Sequence, residues 1–224
     1  NAFVVHAWGM TEMSPLGTVC APTRAFKNLP SSERYALQSK QGRPVFGVQL
    51  KIVDDTGEER KCDGVDFGRL LVKGPWIAAQ YFLEDETALD TDGWFDTGDV
   101  ATIDPKGFMQ IVDRKKDVIK SGGEWISSIE LENAAIGHPS VQEACVIGVL
   151  HPKWDERPLL LVVLAEGEAC DEGSILQFMT GKVAKWSLPD AVLMVDSLPH
   201  TATGKLLKKD LREKYKKFLI DMAD

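Results

Sequence analysis

Four consecutive charged residues, Arg114-Lys115-Lys116-Asp117, which with Asp113 make an unbroken run of five, separate the stretch from Phe108 to Val112 from the apolar one that begins at Val118. Packed interior rarely accepts such a run, so the chain is expected to divide here into two bodies. The patterns on either side differ. Before Asp113, Val48, Leu50 and Ile52 alternate with Gln49 and Lys51 until Asp54-Asp55-Thr56-Gly57 turns the chain. Arg69-Leu70-Leu71-Val72 reads as a strand ended by Gly74-Pro75, and Val100 to Asp104 pairs with Phe108 to Val112 across Pro105-Lys106-Gly107. The opening Phe3-Val4-Val5 reads as the interior of a strand, and so as the start of an excised piece. The expected first body, residues 1–113, is antiparallel or barrel-like.

After the break the pattern turns to mixed helix and strand. Ser127 with Glu130 forms a capping box, Leu131, Ala134 and Ala135 continue a helical stripe, and Gly137 and Pro139 end it. Cys145 to Val149 and Leu159 to Leu164 read as buried strands. Ile175, Phe178, Met179 and Val183 fall at helical spacing, and Leu207, Leu211, Tyr215 and Phe218 mark a last helix. The fold class is therefore mixed α/β (α+β), with residues 118–224 as a small second domain.

Charge excludes one class of partner. The net charge of -8 opposes general nucleic-acid binding, which needs a basic face. Lys205, Lys208, Lys209, Arg212, Lys214, Lys216 and Lys217 concentrate on the last helix, where a solvated face is the simplest reading. The four cysteines and four histidines are scattered, without metal-ligand or disulfide spacing, which suits a reducing cytoplasm. The longest apolar stretch, Leu159 to Ala165, is too short to span a bilayer.

Four segments carry chemistry. In Trp8-Gly9-Met10-Thr11-Glu12, glycine permits close backbone approach, Thr11 offers a hydroxyl to phosphate and Glu12 is a hard oxygen ligand. Phe95-Asp96-Thr97-Gly98-Asp99 reads as a tight turn at a strand end. Asp99 there could accept from both ribose hydroxyls or simply bond its own backbone. Lys120-Ser121-Gly122-Gly123-Glu124-Trp125 places paired glycines in an ordered stretch, which implies an unusual turn or close approach to a ligand. Leu198-Pro199-His200-Thr201-Ala202-Thr203-Gly204-Lys205 presents a lysine on a Thr-Gly loop, suited to meeting a phosphate or carboxylate as a point charge.

In this order and spacing the four segments resemble the adenylate-forming superfamily, over essentially the whole sequence. Lys116 to Ile129 and His151-Pro152-Lys153-Trp154-Asp155-Glu156-Arg157-Pro158 are most similar to bacterial medium- and long-chain fatty acyl-CoA ligases. The resemblance implies an enzyme that joins a carboxylic acid, here a fatty acid, to coenzyme A with ATP and Mg2+, through an acyl-adenylate. It implies that residues 1–113 are the end of a large domain, that 114–117 are a hinge pivoting at Lys116, and that 118–224 are a mobile small domain. Trp8, with Gly9, would lie against adenine, Thr11 at the α-phosphate and Glu12 on magnesium, while Asp99 and Arg114 would grip the ribose. Lys205 would neutralise charge during adenylation, and Gly122, Gly123 and Trp125 would line the pantetheine tunnel. Trp8 replaces the more usual tyrosine, and Asp96 stands where many members have arginine. The family's Ser/Thr/Gly-rich phosphate loop is absent, so these residues alone are expected to be inactive. An amino-acid or aryl adenylation domain and a non-catalytic AMP-binding module are the competing readings, and a homo-oligomer is left open.

Overall fold

The computed structural model describes residues 4–23, 26, 28–202 and 204–222. The chain divides into two compact units, Asn1–Lys115 and Lys116–Asp224. No described helix is long and apolar enough to cross a membrane.

The first unit is built on two open antiparallel sheets, not a closed barrel. One holds β1 (Ala7–Gly9), β2 (Leu16–Val19) and β3 (Arg43–Pro44), with helix α1 (Ser31–Gln38) between the last two in sequence. The other runs β4 (Gln49–Val53), β5 (Phe67–Lys73), β6 (Phe95–Ile103) and β7 (Met109–Arg114) in simple meander order. Ile52, Leu70, Val72, Phe95, Ala101 and Met109 point to one buried cluster, joined by Met13 from the first sheet's loop. Val4 and Val5 are exposed and outside any strand, because pairing with β2 begins only at Ala7; Phe3 lies outside the described residues.

Phe95 to Asp99 corrects the expected turn: it forms the first half of β6. Local Thr-Gly-Asp chemistry favours a turn, but β5 on one side and β7 on the other supply long-range pairing. Register slips at Arg69/Leu71 and Val100/Ala101 absorb the mismatch, and leave Asp99 directly opposite Arg114.

The second unit centres on the hairpin of β10 (Val141–His151) and β11 (Asp155–Leu164). Leu160 and Val162 face α2 (Ser128–Ile136) and α3 (Glu172–Met179), while Leu159 and Leu161 face the side of α4 (Lys208–Tyr215). Both faces are covered, which is why β11 reads as continuous apolar sequence and not as alternation. Ser127 caps α2 by accepting from the Glu130 amide at 3.1 Å, and Asp171 caps α3 in the same way. Val183 lies in the loop after α3 and not on it, and Phe218 opens a separate turn, α5 (Phe218–Asp221). A parallel strand, β12 (Ala191–Met194), completes one edge of β11.

The glycine pair also has a structural role. Gly122 and Gly123, at φ +59° and +90°, form the tight turn between β8 (Ile119–Ser121) and β9 (Glu124–Ile126). A Cβ on Gly122 would meet the Trp154 ring at 2.7 Å, and the Gly122 amide donates to the Trp154 carbonyl at 2.9 Å. Gly122→Val should therefore destabilise the second unit by about 1–2 kcal/mol for the left-handed backbone alone, with the collision added. Adding Trp154→Ala should recover the collision component in denaturant melts. No recovery would show that the indole is not what Gly122 accommodates.

Candidate active site

Strand β1 ends in a chain reversal that only glycine permits. A Cβ on Gly9 would lie 1.8 Å from the Pro15 carbonyl oxygen, so its close approach is to the chain itself. The reversal, through a short 3-10 turn at Thr11–Met13, buries Met13 and leaves Thr11 exposed. The Trp8 ring is packed against Gly17, where any Cβ would strike it. That packing aims the indole edge at Asp99.

Asp99 is only 3% exposed, yet its two oxygens are met from opposite sides. Trp8 Nε1 donates to Oδ2 at 3.1 Å, and the Arg114 guanidinium lies 2.9 Å from Oδ1. The Arg114 side chain is 54% exposed, so the pair runs from the interior out to solvent. The Thr97 hydroxyl fixes the strand by donating to the Leu70 carbonyl at 2.8 Å and accepting the Asp99 amide at 3.1 Å. Burial pushes the Asp99 carboxyl above its ordinary range; Arg114 and the Trp8 N–H pull it down by less, and Asp96 adds to the rise. A carboxylate has about four acceptor positions, so this one retains capacity for a pair of hydroxyl donors.

Asp96 behaves differently. Burial opposes its charge, but the Gly98 amide, Lys115 and Arg69 hold its carboxyl below the ordinary range. Its ion pairs, 2.8 Å to Arg69 and 3.4 Å to Lys115, give it a structural task in β6. On the same unit, the Glu12 carboxylate accepts from Tyr81 Oη at 2.8 Å and its backbone carbonyl accepts from the Ala78 amide at 2.7 Å. Tyr81 was not marked by the sequence reading, since a contact 69 residues away leaves no local signal. Among the described residues no group of three or more His, Cys, Asp or Glu could hold a metal ion unaided. A single carboxylate does fit magnesium, which is commonly held by one or two carboxylates together with substrate phosphates.

In the second unit, Gly122, Gly123 and Trp125 share the β8–β9 hairpin, with Lys120 Nζ 5.2 Å from the Trp125 ring centre. Lys205 is exposed on a separate small hairpin. The Thr201 amide donates to the Lys205 carbonyl at 2.7 Å, and the Lys205 amide donates to Thr201 Oγ1 at 3.0 Å. Thr203 lies outside the described residues. Lys116 is the first residue of this unit. The expected residues thus form a Trp8–Asp99–Arg114 cluster and a nearby Glu12 turn on one unit, and two separate hairpins on the other.

Known proteins resemble the chain across both units. The family model described as AMP-binding enzyme matches residues 1–82, and the one described as AMP-binding enzyme C-terminal domain matches residues 130–205. The chain is 58% identical to the 3-methylmercaptopropionyl-CoA ligase of Ruegeria lacuscaerulensis, over 95% of this chain and 39% of that protein. It is 50% identical to the medium-chain-fatty-acid–CoA ligase of Ectopseudomonas oleovorans, over 97% of this chain and 40% of that protein. ATP-bound MatB from Rhodopseudomonas palustris superposes with a TM-score of 0.79 at 31% identity, covering 96% of this chain and 41% of that one. The chain therefore spans about two fifths of the length of the relatives it matches. Two family models, one for each unit, and relatives aligned across both units establish that the chain belongs to the AMP-binding, adenylate-forming enzyme family.

Proposed function

We propose that this chain supplies the ribose-reading strands and the mobile small domain of an ATP-dependent acyl-CoA ligase. The reaction joins a carboxylic acid and coenzyme A, with release of AMP and pyrophosphate, through an acyl-adenylate. The observation that carries the reading is Asp99, buried between Trp8 and Arg114 with acceptor capacity left over. The named activities of the relatives, 3-methylmercaptopropionyl-CoA ligase and medium-chain-fatty-acid–CoA ligase, support an acid with a flexible apolar chain, of the fatty-acid class.

In this reading Asp99 accepts from the vicinal ribose hydroxyls, Arg114 adds donors from the facing strand, and Trp8 holds Asp99 in place beside the base. Thr11 meets the α-phosphate. Glu12, oriented by Tyr81, holds magnesium, which when bound neutralises phosphate charge. Lys205 brings its ammonium to the carboxylate and α-phosphate, where negative charge gathers as the acid oxygen attacks phosphorus and pyrophosphate departs. A preorganised donor of this kind is worth about a hundred- to a thousandfold in rate. Lys116, at the junction of the two units, is the pivot that exchanges Lys205 for the Gly122-Gly123-Trp125 hairpin between half-reactions.

In the full-length protein, Lys205→Ala should lower pyrophosphate release by about a hundred- to a thousandfold while thioester formation from added acyl-adenylate persists. Equal losses in the two half-reactions would make Lys205 a structural residue.

Asp99 makes a second expectation through pH. Its carboxyl is raised in the folded state, so the folded chain binds the extra proton at mildly acidic pH. The stability from this group is full below the unfolded carboxylate pKa and is lost as pH rises through the folded value. Asp99→Asn should flatten that slope and leave the melting temperature at neutral pH unchanged or higher, the mark of a group kept for function. A clear fall in neutral-pH stability would identify a structural carboxylate instead.

A further inference from the structure

Helix α4 begins in a way that its own energetics do not favour. Leu207 precedes it without a side-chain cap, and Lys208 and Lys209 place two positive charges in the first turn against the one negative charge of Asp210. Cations are disfavoured at that end of the helix dipole. Lys208 is nevertheless drawn inward: its side chain and that of Glu132 are each 12% exposed, with Nζ 2.7 Å from Glu132 Oε1. The same ammonium donates to Ser128 Oγ at 2.7 Å, and Glu132 Oε1 also accepts the Val146 amide at 2.8 Å. Three elements, α2, β10 and α4, therefore meet at the Lys208–Glu132 pair.

One turn later, Arg212 pairs with Asp117, the residue that follows Lys116. Positions four apart share a helix face, so α4 is tied along one side both to α2 and to the segment just after the unit boundary. Cys145 lies under this face. Burial above all pushes its thiol up to about 12; Glu132 and Asp117 add to the rise, while Lys208 and Arg212 oppose it. Buried ion pairs contribute little net stability against well-packed apolar residues, and fixing a unique arrangement is one reason to keep them.

The Lys205 hairpin runs directly into this anchor. It is closed on itself by Thr201 and by the Leu207 amide, which donates to the Pro199 carbonyl at 2.8 Å. Its downstream root is Lys208, three residues beyond Lys205. We propose that Lys208, held by Glu132 and Ser128, is a positioning residue that fixes the root of the Lys205 hairpin, so that a turn about Lys116 delivers Lys205 to the reacting phosphate as part of one rigid body. This rests on Lys205 being the adenylation lysine.

The two half-reactions of the full-length enzyme test it, measured in Lys208→Met, Glu132→Gln, Lys208→Arg and, in parallel, Lys205→Ala. Misplacing a reacting group by about an ångström lowers rates by up to about a hundredfold. Lys208→Met and Glu132→Gln should therefore cut the pyrophosphate-release kcat by about ten- to a hundredfold, with the KM for ATP within about twofold. Thioester formation from added acyl-adenylate should stay within the same twofold, and Lys208→Arg should restore most of the lost adenylation. Unchanged adenylation in both Lys208→Met and Glu132→Gln, or equal losses in both half-reactions, would overturn the proposal. If Lys208→Met fails to fold, Glu132→Gln, which keeps the side chain's shape, decides alone. Intact adenylation in Lys205→Ala would remove the underlying assignment; crippled adenylation there with wild-type rates in both Lys208→Met and Glu132→Gln would remove only this one.

Discussion

A buried carboxylate is the constraint around which the first unit is arranged. Asp99 sits inside a strand, where an ionised group is costly without partners. Its partners come from far apart in sequence. Arg114 is brought opposite by the slipped register of β6 on β7, and Trp8 by the glycine-dependent reversal that follows β1. The Thr97 hydroxyl and the Asp96–Arg69 ion pair secure the strand just before it against β5. Burial raises the Asp99 pKa, with Arg114 and Trp8 acting against it. With one partner on each oxygen, the carboxylate keeps acceptor positions that a hydroxyl-bearing ligand can fill.

The second unit solves another problem, that of staying one body while carrying two projecting hairpins. The β10–β11 core, covered on both faces, gives it stiffness, and the Lys208–Glu132 and Arg212–Asp117 pairs fasten the surface elements to that core. The Lys205 and Gly122-Gly123 hairpins are thereby carried on one and the same core.

Features set by neighbours in sequence were legible before the structure. The Ser127–Glu130 cap, the stop at Gly137, the strands around Ile52, Leu71 and Leu161, and the break near Lys116 all follow from local pattern. Errors arose where distant partners decide. Phe95 to Asp99 has turn chemistry, but two flanking strands pull it straight. The first unit's strands alternate as barrel strands would, yet nothing local states that the sheets stay open. The last helix looked like a solvated basic face, whereas Lys208 and Arg212 turn toward acidic partners on other elements. Gly9 and Gly122 suggested a ligand's approach, and both first make room for the chain itself. For the site, the resemblance already named Trp8, Asp99 and Arg114 for one nucleotide, but the contacts that hold them and their neighbours were not readable. Tyr81 on Glu12 and Lys208 on Ser128 are contacts across 69 and 80 residues.

The claim that Asp99 reads a ribose is tested most directly by a binding cycle. AMP and its 2′,3′-dideoxy analogue are titrated calorimetrically into the full-length protein and into Asp99→Ala. Hydrogen bonds to a charged group are worth about 1.5–3 kcal/mol, so loss of the diol should weaken wild-type binding about tenfold or more. The same loss should matter little once the carboxylate is gone, giving a large coupling energy between residue and hydroxyls. If removing the hydroxyls weakens both proteins equally, Asp99 does not contact the ribose, and the account of the first unit fails.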